Sequence, residues 1–445
     1  MKNLKNSKLF SISILCLLQI IIKVNAQLSP SYRKLHSAVL VEKKLYIFGG
    51  FNSPNLAPEN EVNYNKSPDD RFFYLDVSIS FDTSNLPWRS VSNNVDNLPL
   101  GSLSSVATGG VAASIGGVNN DMIFFFNNER DNATKSDPPV HSYNSPNNVW
   151  NTQIFSGNKP IGRNQMRIVT DYNGKVYLLT GFDFTIQGVT RSSGLFVCDT
   201  INLDCVIKDA PFSRLGYGAT LLPNGMIIYI GGGDRNYVPI RDGFRLIYLY
   251  EPANVEWIPK VTTGKKLSDD VGFTTVLGLN GDRIILYGGN NNNDDNNLYV
   301  LNLTNYEWFV PKVRGKGPQY KRGEHCANVI GKYMVITFGN DVLLLDISDD
   351  SEYVWTTSFD PTPLKINSTP SNSLSLKPAT NNTSIIVGLT IGLILFICIL
   401  SGITIFYIRY KNSNKAIPTP GNVVKDGDII TIPSDYELSH GKYRI

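Results

Sequence analysis

Metal, acid–base or nucleophilic chemistry in this 445-residue chain would have to be built from 4 histidines, 5 cysteines and 38 acidic residues. A copper centre needs several His and Tyr ligands converging on one point. His36, His141, His325 and His440 are spread along the sequence, with no metal-spaced His/Cys cluster around any of them. No Ser-His-Asp order and no phosphate-cradling glycine loop stands out either. The run 290–297, with Asp294 and Asp295 among asparagines, offers oxygen ligands for calcium, but its spacing matches no known calcium loop and it reads as a solvated loop. No catalytic residue, metal site or cofactor is therefore expected.

The segments that must position any binding residue come next, and the two ends of the chain are hydrophobic. Residues 1–26 carry Lys2, Lys5 and Lys8, then an apolar run from Leu9 to Ile22, then the small-residue exit Val24-Asn25-Ala26, the layout of a secretory signal peptide. From Ile385 to Ile408 no residue is charged, and about 20 apolar residues suffice to span a bilayer as a helix. Arg409, Lys411 and Lys415 follow at once, so positive-inside asymmetry places the C-terminus in the cytosol. The expected order is a signal peptide (1–26), an ectodomain (27–360), a stalk (361–383), a transmembrane helix (384–408) and a disordered tail (409–445). In the stalk 16 of 23 residues are Pro, Ser, Thr or Asn, a composition that cannot bury a core. Sequons begin at Asn367, Asn381 and Asn382 in the stalk and at Asn65, Asn132 and Asn302 upstream, with Pro68 weakening the first of these three. The protein is expected to be single-pass type I, in the plasma membrane or secretory pathway, with the ectodomain outside. Residues 27–360 hold 29 basic and 34 acidic residues, so they offer no basic face to nucleic acid.

The ectodomain shows no long helical period, but a strand-like apolar run ending in two small residues recurs six times. Leu45 to Phe48 precede Gly49-Gly50, Met122 to Phe126 precede Asn127-Asn128, and Val176 to Leu179 precede Thr180-Gly181. Ile227 to Ile230 precede Gly231-Gly232, Ile284 to Tyr287 precede Gly288-Gly289, and Met334 to Phe338 precede Gly339-Asn340. Each run is followed by a second short strand near an acid or amide, then by one slot that holds all five tryptophans, Trp88, Trp150, Trp257, Trp308 and Trp355. In the third repeat that slot holds Cys205. A period of about 50 residues with four short strands is the signature of a propeller blade.

This pattern resembles the kelch repeat over about 325 residues, from Arg33 to Thr357. Kelch blades tend to open on an Arg-x-x-His-Ser-like strand, here Arg33-Lys-Leu-His36-Ser37, Arg322-Gly-Glu-His325-Cys326 and Arg214-Leu-Gly-Tyr217-Gly218. The second and fifth repeats lack that arginine, and the second also lacks the diglycine. The resemblance implies an all-β, six-bladed kelch propeller of the galactose-oxidase-like superfamily, and with the membrane span the chain resembles single-pass membrane kelch proteins of the fungal type. The glycines Gly109-Gly110 to Gly116-Gly117 then fall on an innermost strand, where crowding near the axis favours small residues. His36 and His325 occupy the kelch position and read as packed blade residues rather than copper ligands. The last repeat already holds its fourth strand near Trp355, which leaves ring closure to the structure.

Cys198 and Cys205 fall on adjacent strands joined by a short hairpin in an oxidising compartment, so a disulfide is expected where the tryptophan is missing. Cys16 and Cys398 lie in the two apolar segments, and Cys326 reads as a buried free thiol. The long insertions join second to third strands: 51–70, 128–139, 182–193, 233–243 and 290–297. Alternation of strand direction puts them on one face, where Tyr64, Arg71, Arg130, Phe182, Phe184, Arg191, Arg235, Tyr237 and Arg241 are the candidate contacts. The expected function is a membrane-anchored recognition, adhesion or scaffold module for a protein or surface glycan. The alternatives are an extracellular propeller enzyme similar to galactose oxidase and a receptor signalling through its tail, in which Tyr436 is the candidate modification site.

Overall fold

A computed structural model describes residues 30, 33–52, 72–91, 112–126, 140–158, 167–179, 182–185, 188–191, 194–290, 298–318, 322–338 and 341–362. The chain divides into two compact units, Met1–Ile366 and Asn367–Ile445, and the second lies outside the described residues. So do the signal-like segment, the stalk and the apolar run 385–408. No helix among the described residues is long and apolar enough to cross a membrane.

The described part of the first unit is a ring of six sheets, each with four antiparallel strands that pair in chain order, three of which gain a short fifth strand. The second strands are Lys44–Phe48, Met122–Phe126, Lys175–Leu179, Ile227–Ile230, Arg283–Tyr287 and Tyr333–Thr337. The last four residues of each are buried without alternation. An ordinary strand alternates because one sheet face meets water; this one packs on a neighbouring blade from both faces, so unbroken apolar runs result. The six innermost strands, Ser37–Val41, Ala112–Gly116, Ile168–Thr170, Gly218–Leu221, Thr274–Leu277 and Cys326–Ile330, each touch the next around the axis, and the sixth touches the first. In the sixth blade Cys326 pairs with Thr337 as Ser37 pairs with Phe48, so Phe338 stands where Gly49 does. The sequence pattern had set Gly339-Asn340 in that slot; the second strand ends one residue earlier. Gly181 and Gly339 lie outside the described residues.

The core consists of six clusters, one in each wedge between blades. The fourth strand of one blade supplies an indole against its predecessor. Trp88 packs between the sixth and first blades, Trp150 between first and second, and Trp257 between third and fourth. Trp308 and Trp355 serve the next two wedges. Trp308 is 2% exposed, and its indole N–H donates to Phe244 O of the preceding blade at 3.1 Å. The wedge between second and third blades has no tryptophan. It holds the Cys198–Cys205 disulfide, across directly paired residues, and the buried ring of Phe155. The expected disulfide is therefore present, and Cys326 is a buried free thiol as expected.

The ring closes without exchanging a strand between blades. Ser358–Phe359 pairs with Phe81–Asp82 of the first blade, and the rings of Phe359 and Phe81 stack at 4.7 Å. At the N-terminus Arg33 N donates to Phe338 O and Leu35 N to Glu324 O, which ties the entry strand to the last blade. Similar lacing recurs elsewhere: Ser156–Gly157, Thr263–Gly264 and Val313–Arg314 each leave one blade and add a short parallel strand to the outer edge of the next. Covering an outer edge in this way limits strand addition by other chains.

Candidate recognition site at the channel mouth

The arginines and histidines just ahead of the innermost strands serve the ring. Arg33 and Arg214 donate to Gly49 O and Gly231 O, and their guanidinium groups lie over the rings of Phe73 and Phe212. His36 Nε2 shares a hydrogen bond with Thr337 Oγ1 at 2.9 Å and His325 Nε2 one with Thr274 Oγ1 at 2.8 Å, each joining two blades. Burial and the nearby arginines lower the His36 pKa to about 3 and that of His325 well below the usual range, so both rings are neutral. Gly50, at φ +85°, shows what the diglycine does: a Cβ there would sit 2.9 Å from His36 Cβ. Among the described residues no three His, Cys, Asp or Glu side chains gather as metal ligands.

Strand pairing defines one equivalent position per blade at the start of the innermost strand. It is occupied by Ser37, Ala112, Gly218, Thr274 and Cys326 in five blades, and by Arg167 in the third. All six line a cavity of ≈ 190 Å³ on the propeller axis. Five small residues leave the axis open, and the arginine reaches across it. Its Nη2 donates to Phe273 O at 3.3 Å and to His325 O at 2.8 Å, and its Nη1 to Cys326 Sγ at 3.6 Å, on the fifth and sixth blades. The thiol in turn donates to His36 O at 3.0 Å, and burial raises its pKa. One residue further along, Ala38, Ala113, Ile168, Ala219, Thr275 and Ala327 line the same cavity.

The loop 233–243 of the fourth blade brings Tyr237 over this opening. Asp234 accepts from the backbone N–H groups of Asn236 and Val238, and Asp269 accepts from those of Asp242 and Gly243. Tyr237 itself holds φ +63°, and its hydroxyl lies against Gly216 and Gly272, where a Cβ would come within 2.6 and 3.0 Å of it. Burial raises the tyrosine pKa, with Glu324 adding to the effect. Glu324, which also lines the cavity, is paired with Lys34 at 3.3 Å.

Of the nine contacts expected from sequence, Tyr237 enters this site. Arg235 and Arg241 lie on the same loop but are exposed and do not line the cavity. Phe182, Phe184 and Arg191 belong to the two-stranded hairpin Phe182–Thr185 and Gly188–Arg191, where only the backbone is described. Tyr64, Arg71 and Arg130 lie outside the described residues. Among the sequons Asn302 alone is described: it ends the third strand of the fifth blade, and its Oδ1 accepts from Thr304 N. Asn65, Asn132, Asn367, Asn381 and Asn382 are outside. The sequence reading missed Arg167, whose signal is its size in a slot otherwise filled by small residues.

The six sheets make the first unit a six-bladed β-propeller. Residues 216–396 match the family model described as the KLHDC2/KLHL20/DRC7 Kelch-repeats domain. A solved structure titled "Structure of YjhT" superimposes with a TM-score of 0.51 at 12% identity, covering 74% of this chain and 98% of the other. At that identity the likeness shows the fold. None of the curated proteins compared matches the chain.

Proposed function

We propose that this protein is a non-enzymatic recognition module that binds a protein partner at the face where the channel opens. Kelch propellers commonly bind proteins, although a fold by itself does not fix a function. The observation that carries the reading is the prearranged mouth, with Tyr237 held in a left-handed backbone conformation by aspartate-capped turns and Arg167 drawn across the axis. Groups held this way lose little entropy on binding. The same groups are badly placed for turnover. Both buried histidines are neutral and spend Nε2 on threonines, and the Glu324 carboxylate is engaged by Lys34. The uncharged run 385–408 and the basic residues after it support display by one membrane helix, with the signal-like residues 1–26 sending the propeller out of the cytosol. A surface glycan is a second ligand class for the same face.

The test uses residues 27–366, because the ring and its core close within residues 33–362. Chemical crosslinking and capture on cells is compared for the wild-type propeller and for a variant with Arg235, Tyr237 and Arg241 all changed to alanine. Specific capture lost in a variant with an unchanged circular dichroism spectrum is the expected result. Capture that survives these substitutions puts the partner on another face.

A further inference from the structure

Away from the channel mouth, we infer that two copies of this chain associate through the outer edge of the second blade, where Val149–Gln153 pairs antiparallel with itself across a two-fold axis at Asn151. An outer strand exposes a row of backbone N–H and C=O groups on which another strand can form, and proteins blunt such edges by covering them, charging them or placing proline in them. Five blades are protected in one of these ways. Short parallel strands cover the third, fifth and sixth. The outer strand of the fourth, Glu256–Val261, contains Pro259 and Lys260, and that of the first has three residues with Arg89 at its centre. Val149–Gln153 has five residues, no proline and no charge, and no described segment pairs with its outer side.

The surroundings of this edge are those of a contact surface. Of the 13 large apolar side chains that stay exposed among the described residues, seven belong to the second and third blades. Ile154, 84% exposed, directly follows the strand, and Ser156–Gly157 then runs beside Asp204–Lys208, which sets Val206 and Ile207 on the same rim. The Cys198–Cys205 disulfide ties that outer strand to its neighbour, so the rim is held in shape before any contact forms. Charge decides between a second copy and a different protein. The ectodomain carries 29 basic and 34 acidic residues over 334 positions, so about four are expected among the 21 residues 138–158, and these contain none. A two-fold contact sets a surface against itself, so any charge at the axis meets its own kind, and a neutral edge escapes that repulsion. A different partner gains specificity from complementary charge, which this edge does not offer. Centring on Asn151 pairs all five residues, with Val149 opposite Gln153 and Trp150 opposite Thr152 of the other copy.

Sedimentation velocity on the propeller, residues 27–366, tests this from about 1 to about 200 μM, since small interfaces ordinarily hold in the micromolar range. A reversible monomer–dimer equilibrium is expected. Asn151 is exposed, so changing it leaves the core and the mouth untouched. Asn151→Lys sets two ammonium groups against each other at the axis and should weaken the dimer roughly tenfold or more, as should Asn151→Asp with two carboxylates. An equimolar mixture of the two variants should recover the dimer, now as a heterodimer. Damaged folding cannot produce that recovery, because each chain keeps its own substitution. A propeller that stays monomeric over the whole range, a dimer that tolerates Asn151→Lys, or a mixture that fails to recover overturns the inference. The proposed function stands in each of these cases, because the channel mouth takes no part in this edge.

Discussion

If a disulfide replaces the sixth indole, removing it should cost about as much as removing an indole, and the Cys198→Ala/Cys205→Ala double variant measures this. The two residues are 7 apart in sequence, so loop closure in the unfolded chain contributes about 2.5 kcal/mol by the chain-entropy relation. Both sulfurs are fully buried among Phe124, Phe126, Val176 and Leu178, and truncating them adds roughly 1–2 kcal/mol in lost packing. The sum is about 4 kcal/mol, within the 3–5 kcal/mol typical of Trp→Ala in a core. For roughly 330 residues, at about 2.1 cal/mol/K of unfolding entropy each, this lowers Tm by about 6 °C. Differential scanning calorimetry on the wild type and on the double variant gives the number directly. A shift under 1 °C would show that Phe155 fills the wedge unaided and that the sulfur bridge is incidental. In the wild type, dithiothreitol without denaturant should release no thiol, because both half-cystines have 0% exposure.

Acid should weaken the ring. With its pKa lowered to about 3 in the fold against about 6.5 unfolded, His36 lends stability that is complete above pH 6.5 and declines as the pH falls toward 3, by about 3 kcal/mol at pH 4.5. His325 acts in the same direction, and urea midpoints at pH 7.5 and 4.5 should converge in a His36→Gln/His325→Gln variant. Trp308→Ala should cost about 3–5 kcal/mol, and Trp257→Ala, at a partly buried indole, less than that in the same titrations. Gly216→Ala places a Cβ 2.6 Å from the Tyr237 hydroxyl at φ +58°, so it should cost about 1–3 kcal/mol and shift the Tyr237 ring resonances. Asn302→Gln in protein secreted from a eukaryotic host should lose one glycan by mass spectrometry if that sequon is used.

Blade number, the order of strands and the Cys198–Cys205 bridge could be read from sequence because each rests on a repeated or locally paired signal. The second strands are apolar on both faces, so they stand out in any register, and a tryptophan is too large to be placed casually five times. Ring closure could not be read. Phe81–Asp82 and Ser358–Phe359 form a pair of two-residue strands whose first residues are 277 positions apart, and no period announces so short a contact. The register of the sixth blade misled for a related reason: a single glycine at 339 looked like half of a diglycine, whereas pairing of Cys326 with Thr337 sets Phe338 in the first position.

Arg167 shows why the site was harder than the fold. Eleven positions separate Ser37 from its partner Phe48, fourteen separate Ala112 from Phe126, and thirteen separate Thr274 from Tyr287. The turn between the first two strands therefore varies in length, and an error of one residue exchanges the members of one layer of the innermost strands for those of the next. Only with pairing known does Arg167 fall beside Ser37, Ala112, Gly218, Thr274 and Cys326. The chain departs from its own repeat at two places in the third blade, and the surroundings of each decide what the departure does. Cys205 faces a dry wedge against another blade and can only help hold the ring; Arg167 faces the open axis, where a charge meets whatever enters.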